Sequence, residues 1–276
     1  MFWQTSRFRL ELSEPRVMGI VNVTPDSFSD GGVFFDTAVA LKHCESLLHD
    51  GADILDIGAE SSRPGAAAVS WSDEWQRVFP VLQGALSLGC PVSIDTTKAE
   101  LMERALTMGV DIINDINALR DPDGLAVVAA HDQCGVCLMH MQGQPQGMQA
   151  APKYVDVVRE VTEFLALRAR ELTIRGVLFE RIVLDPGIGF GKTVAHNLEL
   201  LRRQGELRVL GFPLLVGWSR KSTLGVVTGK SAQERLAASV AAALAAVQHG
   251  ARIVRVHDVA ATVDALKVWK AAGLPT

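Results

Sequence analysis

PVSIDTTKAELMERALTMGVDIINDI, residues Pro91–Ile116, reads as a strand, a helix and a second strand. Its two ends, PVSID (Pro91–Asp95) and DIINDI (Asp111–Ile116), are short, β-branched and nearly all apolar. That is the pattern of strands covered on both faces rather than on one. Lys98–Met108 between them has helical character and runs into Gly109, a residue suited to a left-handed helix C-cap. A strand, a crossover helix and a strand predict a parallel pair.

The same unit recurs along the chain. Further apolar runs are RVMGIVN (Arg16–Asn22), DILDIG (Asp53–Gly58), GVCLMH (Gly135–His140), RIVLD (Arg181–Asp185), PLLVG (Pro213–Gly217) and RIVRV (Arg252–Val256). Helical stretches follow at Thr37–Asp50, Ser72–Leu88, Pro122–His131, Tyr154–Arg175, Ala195–Leu207, Ala232–Gln248 and Val259–Ala272. Gly51, Gly89, Gly176 and Gly250 stop helices just ahead of strands, as Gly109 does. Eight such units predict an α/β fold, a (β/α)8 TIM barrel. A doubly wound open sheet is the alternative, but the chain carries no Rossmann fingerprint. Residues 1–15 precede the first unit. Phe8, Leu10 and Leu12 alternate with polar residues there, predicting a short N-terminal hairpin that caps the barrel floor. No Pro/Gly/Ser-rich linker divides the 276 residues, so 1–276 reads as a single domain.

Composition narrows the function. Hydrophobic residues at 48% and charged residues at 21% describe a globular chain, not a disordered one. Lys plus Arg number 27 against 31 Asp plus Glu, a net charge of −4, which offers no general attraction to nucleic acid or anionic membrane. Aromatic residues, 6% of the chain, are too few for a single-strand stacking platform. The four cysteines (Cys44, Cys90, Cys134, Cys137) make no disulfide scaffold. MFWQTSRFRLELSE has no apolar core of a signal peptide, and Ala237–Val247 is far short of a membrane span. A cytoplasmic protein acting on small molecules is the expectation.

Polar residues gather at the strand ends: Asn22, Asp95, Asn114, Asp115, His140, Asp185, then Ser219, Arg220 and Lys221, then Arg255 and His257. Barrel active sites lie at that face. Arg255 and His257, two apart on a strand, project together. The loop Asn22–Gly32 (NVTPDSFSDGG) is rich in oxygen ligands, and Glu60–Gly65 (ESSRPG) sets two hydroxyls beside an Arg suited to an anion. Either loop alone is compatible with a plain surface turn. DPGIGFGKT (Asp185–Thr193) imitates a nucleotide phosphate loop, but Pro186 occupies the position of its first Gly. Its glycines instead allow the backbone close to a flat ligand beside Phe190. Cys134-Gly-Val-Cys137 has no second pair to complete a tetrahedral metal site, and Cys137 falls inside an apolar strand.

NVTPDSFSDGG, ESSRPGA, IDTTKAE, IINDI, LMHMQGQP, LDPGIGFGKT, VGWSRKS and RVHDV, in this order from about Met18 to His257, resemble the dihydropteroate synthase family. In the Glu60–Gly65 loop the hydroxyl often seen as Thr is Ser62 here, which keeps the hydroxyl. The resemblance implies a barrel, a homodimer, Mg²⁺ as cofactor, and sensitivity to sulfonamides. It also implies the joining of 6-hydroxymethyl-7,8-dihydropterin pyrophosphate to p-aminobenzoate in folate biosynthesis. By resemblance Asp95, Asn114, Asp185, Lys221, Met139, Phe190 and Gly217 bind the pterin. Asn22, Ser62, Arg63, Arg255 and His257 take the pyrophosphate, with Asn22 also on the metal. Phe28, Pro64, Lys221 and Ser222 receive p-aminobenzoate, and Asp95, Lys221, Arg255 and Asp30 form the catalytic set. A pterin-binding methyltransferase acting on methyl-tetrahydrofolate, or a non-catalytic pterin-binding protein, could share the Asp/Asn/Asp pocket. Neither would give the Ser-Arg-Pro-Gly loop and the Arg-x-His pair a leaving group to serve.

Overall fold

The computed structural model describes residues 1–23, 33–61 and 69–275. Eight parallel strands close into a barrel: β3 (Arg16–Asn22), β4 (Ile54–Gly58), β5 (Val92–Asp95), β6 (Ile112–Asp115), β7 (Gly135–Met139), β8 (Ile182–Asp185), β9 (Leu214–Val216) and β10 (Ala251–Val256). Closure is made by β10 pairing with β3, Val254 opposite Val17, which overturns the open-sheet alternative. The helices between are α1 (Val33–His49), α2 (Trp71–Ala85), α3 (Ala99–Met108), α4 (Pro122–Ala130), α5 (Val157–Ile174), α6 (Val194–Arg203), α7 (Ser222–Thr228), α8 (Leu236–Gln248) and α9 (Val259–Ala271).

Strand pleating divides each strand between two environments. Outward residues such as Val17, Val21, Leu55 and Ile57 join the large core under the helices. Inward residues Met18, Ile54, Ile112, Cys137, Val183, Leu215 and Ile253 fill the lower bore, together with Trp3 and Leu12. Trp3 and Leu12 come from the N-terminal segment, whose strands β1 (Phe2–Gln4) and β2 (Arg9–Glu11) pair antiparallel. The Trp3 indole N–H donates to the Arg181 carbonyl at 2.8 Å, and Arg7 bonds Asp111 at 2.6 Å just below β6. The hairpin therefore plugs the barrel end opposite the loops that follow the strands.

Local chemistry sets the helix limits. Asp156 caps α5 by accepting from Val158 N–H and Arg159 N–H, so the helix starts three residues later than the periodicity from Tyr154 suggests. Gly109 follows α3 at φ +98°. After β9 the sequence pattern anticipates one helix at Ala232–Gln248, whereas the structure has two, α7 and α8. Gly229, at φ +72°, ends α7 after seven residues, too few to display a period.

Candidate active site

At the mouth of the barrel the inward face turns from apolar to charged. Arg255 on β10 reaches across the bore, its Nε 2.6 Å from Asp56 Oδ2 on β4 and its Nη2 2.7 Å from Asp95 Oδ2 on β5. Asn114 Nδ2 donates to the same Asp56 oxygen at 3.2 Å. Asp185 on β8 accepts the Gly187 N–H at 2.7 Å. Three predicted pterin ligands and Arg255 are thus brought to one bore. Asp56, fully buried, joins them without having been singled out. Its signal was present: a carboxylate in the inward register of ILDIG has no apolar use.

Burial shapes the charges here. It pushes the Asp95 carboxyl up to about 7, against the pull of Arg255. Asp185 is also raised by burial, opposed by the Gly187 N–H and by Lys221. Burial and the neighbouring Arg255 push Lys221 down to about 8, against Asp185 and Asp95. Arg255 itself loses solvation, but Asp56 and Asp95 more than offset that and its pKa rises.

One wall is apolar. Met139 and Phe190 pack with Met141, Met148 and Ile116 in a cluster separate from the main core. Lys221 Nζ lies 4.2 Å from the Phe190 ring centroid, a cation–π contact. Gly217 completes the surface: a Cβ built on it meets nothing within 4 Å, so the bore is open beside it. A wall of thioether and aromatic ring, with an open glycine and the carboxylates and amide of the bore, suits a flat heterocycle rich in N–H groups.

His257 stands beyond β10, its Nδ1 3.0 Å from Ser219 Oγ, which also accepts the His257 N–H. Burial, with Arg220 and Arg255 nearby, pushes its pKa down to about 3. Its ring is therefore neutral and shares one hydrogen bond with the Ser219 hydroxyl. Asn22 ends β3 and is exposed, as is Ser222, the first residue of α7. Phe28, Asp30, Ser62, Arg63 and Pro64 lie outside the described residues.

Two strand-end residues do not face the bore. Asp115 accepts Asn117 N–H and Leu119 N–H beneath its own loop, and His140 packs edge-on against Phe164 on α5. Each is one residue past an inward position, and the period of two turns it outward. Lys192 is tied to the Gly187 and Phe190 carbonyls at 2.9 and 3.0 Å, so the resemblance of its turn to a phosphate loop does not extend to the lysine. Cys134 lies in the outer core against Arg181, and Cys137 in the lower bore; burial raises both thiols.

For a metal, the described residues contain no group of three or more His, Cys, Asp or Glu able to hold one. The Asn22 amide oxygen at the open mouth remains a fitting single ligand for Mg²⁺, which keeps several waters and shares substrate phosphates.

A closed barrel whose mouth pairs such a wall with this carboxylate–amide–guanidinium network defines a pterin-handling enzyme. Residues 18–257 match the pterin binding enzyme family, and the chain belongs to it. Within it the chain groups with the dihydropteroate synthases, transferases of folate biosynthesis. It is 55% identical to the dihydropteroate synthase of Neisseria meningitidis serogroup B, over 99% of this chain and 98% of that one. It superposes with a TM-score of 0.91 on the Xanthomonas albilineans dihydropteroate synthase in complex with 7,8-dihydropteroate (45% identity, 100% of both chains). The Yersinia pestis enzyme in a sulfonamide drug complex gives a TM-score of 0.93 (43% identity, 99% of both chains).

Proposed function

We propose that this mouth binds 6-hydroxymethyl-7,8-dihydropterin pyrophosphate and joins it to p-aminobenzoate, releasing pyrophosphate and 7,8-dihydropteroate. The observation that carries the assignment is the Asp56–Arg255–Asp95 bridge with Asn114 beside the Met139/Phe190 wall. The ring enters between Met139 and Phe190, over Gly217. Asp185 accepts paired N–H groups from its aminopyrimidinone edge, Asn114 and Asp95 take the mixed part, and Lys221 donates to the carbonyl. Charge-assisted hydrogen bonds of this kind contribute about 1.5–3 kcal/mol each.

Arg255 and His257, with Ser62 and Arg63, hold the pyrophosphate. Asn22 would help hold Mg²⁺, which neutralises the pyrophosphate charge when bound. The C–O bond breaks first and its electron pair leaves with pyrophosphate. The cation left on the methylene is delocalised into the dihydropterin and stabilised by the Asp95 carboxylate. The arylamine lone pair of p-aminobenzoate then forms the C–N bond and a proton is lost. Phe28, Pro64, Lys221 and Ser222 receive p-aminobenzoate, and Asp30 joins Asp95, Lys221 and Arg255 in the catalytic set.

The late helices support a homodimer. Alanines at 242, 243 and 246 of α8 are buried, while Ala237 and Ala241 are exposed, as are Val226 and Val227 of α7 and Leu236 of α8. No helix among the described residues is long and apolar enough to cross a membrane. The test is pyrophosphate release. Pterin pyrophosphate with Mg²⁺ alone should release some, and p-aminobenzoate should accelerate it with formation of dihydropteroate. Pterin binding with no pyrophosphate release under either condition would leave a binding protein instead.

A further inference from the structure

Lys192 belongs to the glycine-rich turn after β8, has no part in the reaction above, and is only 2% exposed. Its Nζ lies within 2.9 Å of Gly187 O, 3.0 Å of Phe190 O, 3.3 Å of His140 O and 2.8 Å of His140 Nδ1. Burial, with Lys192 beside it, pushes His140 down to about 2, so the imidazole is neutral; burial also pushes Lys192 down to about 7, against the pull of Asp185.

The crowding has a backbone cause. Gly187 and Gly191 adopt φ of +69° and +61°, and a Cβ on either would collide with the carbonyl oxygen of His140 or Gln142. The turn therefore lies backbone against backbone on the chain leaving β7. That approach points carbonyl oxygens from both segments into one buried space, where they repel unless a hydrogen-bond donor stands between them. The same turn ends in two proposed pterin contacts. Gly187 N–H fixes one Asp185 oxygen at 2.7 Å, and the Phe190 ring is presented under Lys221.

We propose that Lys192 is a positioning residue for pterin recognition: its caged Nζ clamps the Gly187–Gly191 turn to the end of β7 and so aims Asp185 and Phe190 at the ring. The inference rests on placing the pterin in this mouth. It predicts a selective defect, because p-aminobenzoate is received by other loops.

Lys192→Met keeps the chain length and removes the Nζ donor. Its KM for the pterin substrate should rise about 10- to 100-fold, with KM for p-aminobenzoate within about twofold and kcat at saturation within about threefold. Tyr154→Phe is a milder companion, removing the hydroxyl that donates to Gly191 O at 2.8 Å on the same turn. It should raise the pterin KM about three- to tenfold and leave the other KM alone. A pterin KM unchanged in Lys192→Met, or equal losses for both substrates, would overturn the assignment. Should Lys192→Met not fold, an unchanged pterin KM in Tyr154→Phe overturns it and a selective rise supports it. Wild-type enzyme that does not bind the pterin substrate would count against the reading of the site rather than against Lys192.

Discussion

At the scale of single residues, the site works by placing charges where burial strips away much of their water. Asp185 is the sharpest case. Asp185→Asn removes the charge and turns an amide toward the donors of the ring edge. The loss should be about 2–4 kcal/mol, roughly 30- to 1000-fold in affinity for the pterin substrate, measured by calorimetric titration. A change under about fivefold would count against the pocket. The pH profile follows from two groups. Asp95, pushed up to about 7, must be ionised to accept N–H groups and steady the cation, so kcat/KM for the pterin substrate falls as pH drops through that value. Lys221, pushed down to about 8, must be protonated to donate, so kcat/KM falls again above it. The expected profile is a narrow bell, and Lys221→Gln should abolish its alkaline limb. Asp185, Lys221 and Arg255 are legible in the sequence because they stand at run ends, where polarity is conspicuous. Asp56 is concealed within an apolar run, and only the Arg255 guanidinium arriving from across the bore gives it a purpose.

At the scale of elements, the strand pleat sorts the polar ends into those that serve the bore and those that serve the loops. Asn114 and Asp115 are neighbours in sequence and opposite in function for that reason alone. The hairpin shows the converse, an element whose worth depends on what it meets. Two short strands would be marginal by themselves, and Trp3 in the lower bore anchors them. Trp3→Ala should cost about 3–5 kcal/mol, read as a lower urea midpoint, because it leaves a cavity and strands the Arg181 carbonyl. The pterin Kd should stay within about twofold, since the floor is at the opposite end from the mouth. Joint failure of stability and pterin binding would mean that the hairpin also shapes the site.

At the scale of the whole molecule, α7 and α8 leave Val226, Val227 and Leu236 at 68, 60 and 45% exposure on one flank. Such side chains together favour burial against a second copy. Sedimentation at micromolar concentration should give a dimer, and Val226→Glu with Val227→Glu should give a folded monomer. A monomeric wild-type protein would dismiss the homodimer. The barrel itself is cooperative at this scale: β10 closes on β3, and closure brings Arg255 from one end of the chain to Asp56 and Asp95 near the other.

The sequence by itself determined the strand and helix order, the barrel class, the glycine stops and most of the polar mouth. These depend on short-range periodicity and on residue types whose conformational preferences are local. The tertiary structure alone decided which polar ends face the bore, that Arg255 bridges two carboxylates, that His257 is neutral, and that Lys192 serves a carbonyl cage instead of a phosphate. Those outcomes depend on desolvation and on partners distant in the chain, and neither exists until the barrel closes.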